Sequence, residues 1–138
     1  MRVPVLPLSL CLLLGAPATP AAAAVPAPVK VVMLHICVLE KAPSRIEAEL
    51  AAPLERELRE VPGVGSFFSM SMEYGVIFEL QFHGGAKEAH RAYVEETVMR
   101  SAAGRALGIR HRAVRLAPLD DKRFAPILPC RDAPPMQH

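Results

Sequence analysis

The chain has no tryptophan and few aromatic rings, 5% of its 138 residues. It carries no large charge of either sign, with a formal net charge of +2. A nucleic-acid surface needs a clustered basic face, and exposed rings where single strands stack. The nearest approach is the basic run from Arg105 to Arg115, with Arg110, His111 and Arg112. It reads as a solvated strand edge, so no nucleic-acid partner is expected. No apolar run approaches the ~20 residues of a membrane-spanning helix. Catalytic signatures are missing as well: no nucleophile elbow, no His-Glu-x-x-His, no Cys-x-x-Cys pair and no Gly-x-Gly-x-x-Gly phosphate loop. Ser44 is explained by helix capping, and Ser66, Ser69 and Ser71 by an exposed strand. The sequence predicts a non-enzymatic protein without a cofactor.

Cysteine is scarce, with three in all. Cys11 lies in a leader-like segment, residues 1–24. Met1-Arg2 is a basic start, Val5 to Leu14 a short apolar run, and Gly15 to Ala24 a small-residue, proline-containing stretch ending in four alanines. That order is the one of a secretory signal peptide with an Ala-x-Ala cleavage site. The expectation is an exported, periplasmic mature chain with no membrane span of its own. It divides into a leader at 1–24, one domain at 25–130 and a disordered tail at 131–138. An oxidising compartment leaves Cys37 and Cys130 open to two readings, a disulfide or two unpaired thiols.

The domain carries an alternation of strand and helix patterns. Val29 to Val38 alternates as a strand. Val32, Leu34, Ile36 and Val38 form an aliphatic face for the core. Val31, Met33, His35 and Cys37 form a mixed face for the open side of a sheet. Ser44 with Glu47 reads as a capping box. Ile46, Leu50, Leu54, Leu58 and Val61 then make one helical stripe, with a kink expected near Ala52 from Pro53. Val64 to Met72 reads as a second strand whose Phe68, Met70 and Met72 face the core. Glu73-Tyr74-Gly75 reads as a turn with the glycine at positive φ. Val76 to His83 is the cleanest alternation, with Val76, Phe78, Leu80 and Phe82 facing inward. Ala86 to Ala106 reads as a second helix with a weak stripe of Ala89, Tyr93, Val94, Thr97, Val98 and Ala102. Either Ile109–Leu116 or Phe124–Cys130 supplies a fourth strand. The order βαββαβ predicts an α+β, ferredoxin-like split β-α-β fold. Its four-stranded antiparallel or mixed sheet carries two helices on one face and leaves the other face open.

One constellation on that open face bears on chemistry. Met33, His35 and Cys37 alternate along one side of strand one, and soft sulfur with imidazole suits Cu(I) or Ag(I). Residues two apart on a strand stand nearly 7 Å apart, so the three cannot close on one ion unaided. They are weak metal candidates, and a soft-metal binding protein is the alternative functional reading.

Ala42-Pro43-Ser44-Arg45-Ile46-Glu47, then Pro53-Leu54-Glu55, then Val61-Pro62-Gly63-Val64, resemble the first periplasmic porter subdomain of resistance–nodulation–division (RND) efflux pumps. Ser69 and Ser71 stand for that family's serine-rich strand, Gly75 for its turn and Phe78 to Phe82 for its closing strand. Arg115 to Asp120 is similar to the segment leading into the last strand, which favours Phe124–Cys130 as strand four. Leu39-Glu40-Lys41 and Gly84-Gly85-Ala86 depart from the family pattern. The resemblance implies a domain acting by protein–protein packing in or beside a transport system. An RND transporter or like subunits, a homo-oligomer included, would be the partner, with Ser44, Glu47, Pro53 and Glu55 at the interface. The family's transmembrane helices, which couple to protons, have no counterpart in these residues.

Overall fold

The computed structural model describes residues 29–105, 107–124 and 130, together with Gly15. The expected leader (apart from Gly15) and tail lie outside the described residues. Strand β1 is Lys30–Val38, β2 Val64–Met72, β3 Gly75–Phe82 and β4 Ile109–Pro118. Helix α1 spans residues 43–59, and α2 is Glu88–Arg100. The sheet runs in the order β2-β3-β1-β4 with every pair antiparallel. The fold is α+β, in the ferredoxin-like arrangement the sequence predicts.

The helix face of the sheet carries the main core. Val32, Leu34, Ile36 and Val38 of β1 and Val76, Phe78, Leu80 and Phe82 of β3 pack against Ile46, Leu50, Leu54 and Leu58 of α1 and Val94 and Val98 of α2. The α1 stripe thus reads correctly from sequence. The α2 stripe does not: Ala89, Tyr93 and Ala102 are exposed, and the helix ends at Arg100. Only Val94 and Val98 of that stripe are buried.

Three local details of α1 and β2 differ from expectation. Ala42, not Ser44, is the N-cap, and Pro43 takes the first helical position. Proline suits that position because its missing N–H would be unpaired there anyway. Ser44 stands exposed in the first turn, and Glu47 is drawn away to β2. The disturbance expected at Ala52 takes the form of a π turn, Glu47–Ala51, while Ala52 itself is regular α-helix. The stripe explains the wider turn. Residues four apart overshoot a 3.6-residue turn, so a run of fours drifts round the helix. A π turn, with its longer repeat, brings Leu50 and Leu54 back over the sheet.

The third difference concerns β2. Its Phe67, Ser69 and Ser71 face the helices, whereas Phe68 and Met70 point to the opposite face, 47% and 46% exposed. The hairpin register decides this. Glu73 and Tyr74 make a two-residue turn, pairing Met72 with Gly75, Ser71 with Val76 and Ser69 with Phe78. Directly opposed residues share a face, so Ser69 follows Phe78 toward the core. Tyr74, not Gly75, holds the positive φ of this turn. Gly75 is glycine for another reason: a Cβ there would collide with Cys130 Sγ and the Ile36 carbonyl.

The fourth strand of the sheet is β4, beside β1, which is the Ile109–Leu116 alternative and not Phe124–Cys130, the one that the resemblance favours. Lys30 to Val38 pairs with Pro118 back to Ile109 along nearly its whole length, which leaves no free edge on β1 for another strand. Phe124 is in a turn and Cys130 in a 3-10 turn, and residues 125–129 lie outside the described residues. No helix among the described residues is long and apolar enough to cross a membrane.

Candidate functional site

The back face of the sheet is not open. Val31, Met33, His35 and Cys37 are all buried, and so are Ile77 and Glu79 beside them. Residues from beyond β4 close it. Phe124 packs on a cluster of Val31, Met33, Ile77 and Ala117. Arg123 Nε donates to Glu79 Oε2 at 2.6 Å, its guanidinium lying 4.6 Å from the Phe124 ring centre. Glu79, only 2% exposed, also accepts from Gln81 Nε2 at 2.8 Å. The Arg115 guanidinium donates to the Arg123 carbonyl. Cys130 is joined to Cys37 by a disulfide, with Tyr74 against it. This buried carboxylate is therefore held by a guanidinium and an amide, which is how a charge is kept inside a protein.

At the Cys37 end, chemically distinctive groups converge. His35 Nε2 lies 3.0 Å from Cys130 Sγ and 3.6 Å from Cys37 Sγ. The imidazole nitrogen and both sulfurs fall within 4.8 Å of one another, and all three residues are buried. Alternation puts His35 and Cys37 on the same side of β1. The β4 register sets His111 opposite Cys37 and Arg115 opposite Met33. The His111 ring meets the His35 ring edge-on at 6.5 Å.

The site brings together two of the three metal candidates read from the sequence. His35 and Cys37 are in it. Met33 packs instead in the apolar cluster with Val31 and Ile77. Cys130, read from sequence only as a bridge partner, is the residue that joins them. The four interface candidates are on α1. Ser44 is exposed and Pro53 half-buried, while Glu47 and Glu55 accept hydrogen bonds from the hydroxyls of Ser71 (2.6 Å) and Ser69 (3.2 Å). These two carboxylates tie the helix to the edge strand. A shallow groove lined by Ala52, Glu55, Arg56 and Arg59 runs beside them.

Burial pushes the His35 imidazole down from 6.5 to about 4, and the nearby positive charges of His111 and Arg115 push the same way. The ring is neutral at physiological pH. Between pH 6.5 and 4 the unfolded chain takes up a proton at this ring that the folded chain refuses. Stability therefore falls as pH drops through that window and is level above it. The loss at the low end is on the order of 3 kcal/mol. Urea unfolding of His35→Leu should show a flatter pH dependence than wild type between pH 7 and 4. Equal slopes would remove His35 as the source.

No protein-family model, curated protein or solved structure matches this chain.

Proposed function

We propose that this domain is a non-enzymatic, exported packing module of the RND porter type. It docks on a transporter subunit through the outer face of α1 and the adjoining edge of β2. The observation that carries this reading is the character of that edge. Strand β2 is nine residues long and ends the sheet, and no strand pairs with its outer side among the described residues. From Val64 to Met72 it has no charged side chain and no proline, the usual guards against strand pairing. Such an edge suits addition of a strand from another chain. The serine bonds to Glu47 and Glu55 make helix and edge one continuous surface. Back-face closure by Phe124 and Cys130 weighs against a ligand laid across the sheet.

Charged guards placed on the edge test the reading. Cross-linking in the cell envelope should join wild-type protein, through residues of α1, to an RND-type transporter subunit. Phe68→Lys with Met70→Lys should abolish the product and leave the fold intact by circular dichroism, because both side chains are about half exposed. A strictly monomeric protein that gives no transporter cross-link would sink the proposal.

A further inference from the structure

Among the described residues, one group of metal-ligating side chains stands apart from the docking surface: the imidazole and two sulfurs on the back face. We propose that, with the Cys37–Cys130 bridge reduced, His35 Nε2, Cys37 Sγ and Cys130 Sγ form a three-coordinate site for Cu(I). The bridge and the ion are then alternative ways of tying residue 130 to β1.

The donor set is soft and has no carboxylate. Two thiolates with one imidazole select Cu(I) over the hard cations that favour oxygen. Three donors meet the needs of Cu(I), whereas a structural zinc site wants a fourth. Among the described residues no other His, Cys, Asp or Glu joins the group, and Met33 is held in the neighbouring apolar cluster. The surroundings complete the case. Burial of all three residues keeps water from competing for the ion. Two bound thiolates leave the Cu(I) centre with one net negative charge, and the Arg115 guanidinium stands on the same face of the sheet, opposite Met33. Gly75 leaves room at the Cys130 sulfur where any side chain would collide. The sulfurs, bonded in the oxidised form, must part to about 4 Å to flank an ion at ~2.3 Å from each. A change of χ1 rotamer at Cys130 supplies that separation.

The chemistry balances with a dithiol as reductant. One thiolate of the dithiol attacks a bridge sulfur, and its second thiol then displaces the resulting mixed disulfide. Two electrons and two protons pass to Cys37 and Cys130, and the dithiol leaves as its own disulfide. When Cu(I) binds, each thiol gives its proton to solvent. No electron moves in that second step.

The test uses the whole chain, reduced with a dithiol, freed of it without oxygen and titrated with Cu(I) against a chromophoric Cu(I) chelator. One equivalent per chain is expected, with none taken up by the oxidised protein. Cys37→Ser and Cys130→Ser should each weaken binding about a hundredfold or more, and His35→Ala about tenfold or more. His90→Ala, on α2 at the other face, should bind like wild type. Cu(I) should also raise the melting temperature of the reduced protein, because a ligand of the folded state stabilises it by mass action. Binding unchanged in Cys130→Ser or His35→Ala would overturn the site. So would a reduced chain that is folded and takes up no ion, or one that is unfolded and stays so with Cu(I). None of these outcomes bears on the β2 edge, whose test stands separately.

Discussion

Replacing Cys37 and Cys130 together with serine should lower the free energy of unfolding by about 4–5 kcal/mol. The bridge closes a loop with a sequence separation of 93. In the chain-entropy description, a cross-link over so long a loop removes that much freedom from the unfolded ensemble. The native environment adds to the cost. Each serine would place a hydroxyl in a buried pocket walled by Tyr74, Gly75 and the Ile36 backbone, with the His35 ring nitrogen the one side-chain partner described beside it. A whole domain of this size is stable by only about 5–15 kcal/mol. The double variant should therefore remain folded at 25 °C but melt far earlier. Urea unfolding of the oxidised protein, the reduced protein and the variant gives the measurement. The last two should agree within about 1 kcal/mol. A loss below 1 kcal/mol in both, on the order of an ordinary surface substitution, would mean that the back-face contacts alone hold residue 130 in place.

Phe78→Ala should cost about 3–5 kcal/mol, the range for deleting a buried ring and leaving its cavity. Phe78 is fully buried on β3, the strand between β1 and β2. Its ring leans on Phe67 of the edge strand at 5.7 Å between centres. Opposite it across β1 is Leu34, and across β2 Ser69. The hole cannot close by movement of the strands, because each is fixed by its ladder on both sides or by the hairpin. The helices above are similarly held, α1 through its row of four large aliphatic residues. Phe78→Leu, which keeps most of the volume, should recover over half of the loss. Equal destabilisation by Leu and Ala would point to a specific ring contact with Phe67 in place of cavity formation.

Periodicity revealed the parts of this fold in which one strand or helix stripe is buried by immediate neighbours. The β1 and β3 inner faces and the α1 stripe are of that kind. It failed where a partner distant in sequence decides. The row Val31, Met33, His35 and Cys37 mixes polar and apolar residues and so resembles a half-solvated face. It is buried because residues some 90 positions on cross it, and no local pattern carries that information. The facing of β2 was a register question. One residue more or less in the Glu73-Tyr74 turn would have sent Phe68 and Met70 inward as expected. The start of α1 is legible in the sequence, since Pro43 marks a first helical position as firmly as Ser44 marks a cap. In the candidate site, alternation alone paired His35 with Cys37. The third group, Cys130, was visible only as a possible bridge partner, because spacing along the chain says nothing about which face a remote residue will reach.

The same bridge governs how the domain answers to tension. A pull transmitted from beyond residue 130 reaches β1 through sulfur and bypasses β4. Strand β1 lies inside the sheet, gripped by ladders on both sides, so the load falls on the element hardest to peel away. Extension then stops at Cys37. The ring behind it, closed over a sequence separation of 93 and so roughly 300 Å of chain at ~3.3–3.6 Å per residue, stays out of reach of the force until a covalent bond gives way.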